Sequence, residues 1–124
     1  MQYAFLIYGD ETAPFSPEQE QQMWEAHGAY NQMLIDHGVI RGGAPLHPSS
    51  TSTLVRRPAG EGDERLVTDG PFTETKEQLG GFYLVECADL DKALEYARQL
   101  PLGPGSAVEV RPVVPMPGAD GPAA

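Results

Sequence analysis

Two titratable residues in this chain have surroundings that could make them reactive. His27 falls in phase with Met23, Ala26, Tyr30, Met33, Leu34 and His37 at steps of three and four, so a helix would carry all of them on one stripe. An imidazole on an apolar stripe is partly desolvated, and desolvation tunes it towards a base that is neutral at physiological pH. The same placement suits a core histidine bonded to a backbone carbonyl, and spacing alone admits both. Asp69 opens the segment DGPFTETKEQLGG, residues 69–81, where Gly and Pro follow it directly. A carboxylate there closes a tight turn through its own backbone; it can equally fix a histidine tautomer, stabilise the imidazolium or serve as a second base. His27 and Asp69 are therefore the candidate catalytic residues. Tyr30 on the stripe, with Phe72, Glu74, Lys76 and Glu77 in the segment after Asp69, are the candidate ligand contacts, Lys76 being suited to counter an anionic group. A charged loop on an acidic protein is equally at home as a solvated surface.

Other chemistries find no foothold. The three histidines at 27, 37 and 47 have none of the i, i+3 or i+4 spacings that put two zinc ligands on one helix face, so no metal is expected. His37 falls where it complements a helix C-terminus, and His47 sits in a proline-flanked loop. The single cysteine, Cys87, lies in an apolar run and reads as a small core residue; alone, it forms no internal disulfide. The chain contains no GxGxxG, P-loop or GxSxG element, and no cofactor is expected. Lys and Arg number 8 against 18 Asp and Glu, giving a net charge of −10 that repels nucleic acid and anionic lipid alike. No stretch approaches the roughly 20 apolar residues of a membrane span, and no basic, apolar and small-residue leader opens the chain, so a cytoplasmic protein is expected.

The elements that must position these residues are legible in outline. Tyr3–Tyr8 is continuously apolar, as in a central strand covered on both faces, one by helices and the other by a second subunit. Ser16-Pro17-Glu18-Gln19 is a capping box, and the helix it starts runs to about His37, where Gly38 ends it. A second strand is expected over Val39–Leu46, and a hairpin pairs Thr51–Val55 with Arg65–Thr68 across PAGEGD. Phe82–Cys87 is a further strand. Asp89 then caps a helix carrying Leu90, Ala93, Leu94, Ala97 and Leu100 on one face before Pro101, and Ala107–Val114 is the last strand. The order β, α, β, hairpin, β, α, β is the split βαβ plan with an inserted hairpin, an α+β ferredoxin-like domain over residues 1–115 followed by a disordered tail over 116–124.

The block DGPFTETKEQLGG resembles the DGPFAETKEQLGG signature of the DGPF branch of the YCII-related family, with Thr73 in place of Ala. The resemblance extends from MQYAFLIYGDE to SAVEVRPV, and AHGAYNQMLIDHG falls in register with the first helix of the smaller YCII-type proteins. It implies a ferredoxin-like domain that pairs into a dimeric α+β barrel, a homodimer holding an unknown small molecule. It further implies a histidine at position 27 working with an aspartate. Many DGPF-branch proteins carry an aromatic residue near that position, so a His-dependent reaction belongs to a subset. The related barrels include isomerases and enzymes that eliminate chloride from hydroxylated aromatic rings, which implies cofactor-independent proton transfer. The alternative class is a non-catalytic sensory or interaction module, because genes of this branch lie beside those for extracytoplasmic-function sigma factors. A regulatory link to such a factor is then expected, without direct contact to DNA.

Overall fold

A computed structural model describes residues 1–73 and 75–117. Strand β1 (Gln2–Asp10) leads into helix α1 (Pro17–Asp36), then β2 (Ile40–Pro45), a short 3-10 turn (Ser49–Thr51), β3 (Thr53–Arg56), β4 (Leu66–Asp69), β5 (Glu77–Glu86), helix α2 (Leu90–Ala97) and β6 (Ala107–Pro112). The main sheet has the order β2-β5-β1-β6 with every neighbour antiparallel, while β3 and β4 form a separate two-stranded sheet. Without that hairpin the topology is the ferredoxin-like split βαβ arrangement, with two helices on one sheet face.

Local chemistry sets the boundaries. The Ser16 hydroxyl accepts from the Gln19 amide, and the Gln19 side chain accepts in return from the Ser16 amide, with Pro17 at the first helical position. His37 caps the far end, and Gly38 takes the left-handed φ of 68° that turns the chain towards β2. Asp89 caps α2 by accepting from the Lys92 amide.

The core lies between the helices and the inner sheet face. Tyr3 and Phe5 of β1 and Val85 of β5 project from that face and are buried against Tyr30 and Leu34 of α1 and Ala93, Tyr96 and Ala97 of α2. The alternate positions Ala4, Leu6, Phe82 and Leu84 point to the other face and are only half-buried, since neither helix reaches them.

Several expectations shift. Strand β5 begins at Glu77 rather than Phe82, because Glu77, Gln78 and Leu79 pair with Asp10, Gly9 and Tyr8; the connecting loop is therefore short, and its Gly70-Pro71 peptide is cis. Helix α2 stops at Ala97, although Leu100 remains buried after a turn in which its amide bonds the Ala97 carbonyl. Among the described residues no helix is long and apolar enough to cross a membrane. The tail expected over 116–124 falls from residue 118 onwards outside the described residues.

Candidate functional site

A cavity of about 720 Å³ opens where β1 ends and β5 begins, a volume within the range of small-molecule sites. The N-terminal half of α1 forms one wall, the ends of β1, β2 and β5 form the floor, and the segment from Pro101 to Ser106 closes the far side. The floor is shaped by glycines. Gly43 has a φ of 147°, and a Cβ there would meet the Phe82 carbonyl oxygen at 2.5 Å, so only glycine lets β2 lie this close to β5. A bulge between Ile7 and Tyr8 leaves Gly80 unpaired against β1 at the cavity edge.

His27 is on this wall. It sits half-buried on the inward stripe of α1, its Nδ1 3.4 Å from the Tyr83 hydroxyl. That contact is at the long end for a hydrogen bond, so it orients the ring more than it occupies the nitrogen lone pair. Tyr83 is itself held in place: it alternates with Val85 on the inner face of β5, and its ring meets Tyr30 edge-on with centroids 5.4 Å apart. The buried Tyr30 hydroxyl in turn donates to the Tyr96 carbonyl at 2.8 Å, so a packed chain of groups runs from α2 to the imidazole. Burial lowers the His27 pKa from its ordinary value and raises those of the Tyr83 and Tyr30 phenols, which leaves a neutral imidazole beside a neutral phenol at pH 7.

Two acids at the end of β1 complete the mouth. Asp10 accepts from the Thr12 hydroxyl at 2.5 Å and the Thr12 amide at 2.8 Å; these bonds hold its carboxyl below the usual range, with a smaller contribution from Lys76. Glu11 accepts from both the amide and the hydroxyl of Ser49, fastening the 3-10 turn to the mouth.

The residues singled out from the sequence separate. His27 lines the cavity; Asp69 does not, and no hydrogen bond or ion pair joins the two among the described residues. The cause is topological: Asp69 is exposed at the end of β4, in the hairpin, rather than at the end of a strand of the main sheet. Tyr30 is core rather than cavity wall. Phe72 is 68 % exposed, with the Arg56 guanidinium 4.8 Å above its ring. Lys76 borders a small depression next to the cavity with Glu11, Ser49 and Thr75, and Glu77 is the exposed first residue of β5. Glu74 lies outside the described residues. Among those residues no group of three or more His, Cys, Asp or Glu could hold a metal ion.

Other wall residues were not singled out from the sequence. Tyr83 was hidden in the continuous apolar run FYLVE, where alternation cannot be seen. Trp24 and Asn31 follow a second stripe on α1 with Glu20 and His27, rotated from the core stripe. Asp10 had the available signal of an acid at the end of the apolar strand β1.

Fold and site together define a class, a ferredoxin-like α+β domain with a ligand-sized cavity between its first helix and the sheet end. The family model described as the YCII-related domain matches residues 1–117, and the chain belongs to the YCII-related family. It is 41% identical over 117 residues, 91% of this chain and 92% of the relative, to a protein of Rhizobium meliloti (strain 1021) described as uncharacterized. The family match runs from β1 through β6, so every described wall of the cavity lies inside it.

Proposed function

We propose that the protein binds a small organic molecule in this cavity and performs cofactor-independent proton transfer on it, as an isomerase or a lyase of the dehydrochlorinase kind. His27 is the base, and Tyr83 is the hydroxyl that orients it. In an isomerisation His27 takes a proton from one ligand atom and returns it to another; in an elimination it keeps the proton while the leaving group departs with the bonding electrons. The observation that carries this reading is a half-buried imidazole, lowered in pKa by desolvation, on the wall of a cavity of ligand size. Asp69, exposed on the hairpin, has no part in it. A sensory module would use the same cavity but has no need of a neutral base there.

The working unit in this reading is a homodimer packed through the outer sheet face. The half-buried Ala4, Leu6, Phe82 and Leu84, left uncovered by both helices, support it. The function is tested by native mass spectrometry of the purified protein, followed by incubation of the retained molecule with protein in D2O. Deuterium incorporation or conversion that is lost in His27→Gln is the expected result; turnover unchanged in that variant, or no retained molecule, contradicts it.

A further inference from the structure

The charged groups on the cavity wall are all of one sign. Asp10, Glu11 and Glu20 reach the cavity, and no lysine or arginine lines it among the described residues; residues 74 and 118–124 include neither type. Asp10 is fixed as an anion by its bonds to Thr12, and Glu11 is held by Ser49, so both charges are stationary rather than free to swing into solvent. The Glu20 side chain, one helical turn from Trp24 on the same face, has no hydrogen-bond partner among the described residues. His27, desolvated and neutral, adds no positive charge.

Part of the uncharged wall is aromatic. Phe15, Trp24 and Tyr83 border the space, and Trp24, although 62 % exposed to solvent, lies on the cavity wall. Aromatic faces attract cations and flat apolar rings, whereas a carboxylate or phosphate entering here would face three like charges, with Lys76 acting on Asp10 from outside the wall. Lys76, the residue that the sequence offers as an anion partner, borders the neighbouring depression instead.

We infer that the ligand of this cavity is an aromatic amine bound as its cation, its ring against Trp24 and Phe15 and its ammonium group towards Glu20 and Asp10. The inference rests on the small-molecule reading above and assigns that site a ligand class.

The protein supplies its own reporter, since Trp24 is the sole tryptophan and lines the cavity. Three probes of matched size are titrated at low ionic strength while Trp24 emission is followed: 2-phenylethylamine, 2-phenylethanol and 3-phenylpropionate. The amine is expected to bind about tenfold more tightly than the carboxylate, with the alcohol between them, and 0.5 M salt should shrink the spread. Glu20→Lys, at an exposed helix position, should cut the amine-to-carboxylate ratio at least threefold, with roughly twofold loss or less for the alcohol. A carboxylate that binds as tightly as the amine, or a ratio unmoved by Glu20→Lys, overturns the charge assignment and leaves the small-molecule site standing. If none of the three perturbs Trp24 up to millimolar concentration, the small-molecule reading falls and this inference with it.

Discussion

Tyr30→Phe separates the structural role of a buried tyrosine from the ligand role that its sequence position suggests. The substitution removes one oxygen and leaves the ring, so the edge-on contact with Tyr83 survives. What disappears is the 2.8 Å hydrogen bond to the Tyr96 carbonyl, which ties the middle of α1 to the end of α2. A buried hydrogen bond of this kind contributes about 1 kcal/mol net. The larger penalty of an orphaned acceptor does not apply, because the Gln99 amide still donates to that carbonyl at 3.1 Å. The expected loss is therefore about 1 kcal/mol, a fall of roughly 4 °C in midpoint for a domain of this size. Calorimetry measures it, and an NMR titration of the His27 ring on the same sample should find its midpoint unmoved. A midpoint of unfolding within about 1 °C of wild type refutes the contribution of the Tyr30 to Tyr96 hydrogen bond, and a His27 titration displaced by more than about half a unit refutes the confinement of that loss to the core.

Three further outcomes follow from the same geometry. Gly43→Ala should destabilise by about 1–3 kcal/mol, because it combines a φ of 147° with a Cβ 2.5 Å from the Phe82 carbonyl oxygen; an unchanged urea midpoint would show that β2 can move away from β5. Leu84→Glu, on the outer sheet face, should convert the proposed homodimer to a folded monomer in sedimentation, and a wild type already monomeric at micromolar concentration contradicts the dimer. Because burial lowers the folded-state pKa of His27 from its ordinary 6.5, the unfolded chain takes up that proton first as pH falls. The part of the stability that His27 carries is thus present above pH 6.5, is lost between 6.5 and the folded value, and is absent from His27→Gln. Urea unfolding across that window checks it, with equal slopes for the two proteins as the contrary result.

Elements set by local chemistry were legible in the sequence. The capping box at Ser16 and Gln19, the Asp89 cap and the Gly38 stop depend on residues within a few positions of one another, and each appears where the residue types predict. The inward stripe of α1 was equally legible up to its last member: Met23, Ala26, His27, Tyr30, Met33 and Leu34 are all buried or half-buried, while His37 at the C-cap is exposed. What periodicity does not encode is pairing between distant segments. The polar start of β5 is a strand only because the end of β1 lies beside it, and nothing within residues 77–81 announces that partner. The same limit governs the site. Asp69 does end a strand, as the sequence suggests, but that strand belongs to the hairpin; the residue that meets His27 is Tyr83, 56 positions away in sequence.

The central claim is that His27 stands as a neutral imidazole on the wall of a ligand cavity, and an NMR pH titration of its ring resonances, assigned by comparison with His27→Gln, tests it most directly. Desolvation on that wall predicts a midpoint below the ordinary histidine value of 6.5, with Tyr83→Phe perturbing the His27 signals through the lost 3.4 Å contact. A midpoint at or above 6.5, with signals indifferent to Tyr83→Phe, would contradict the account.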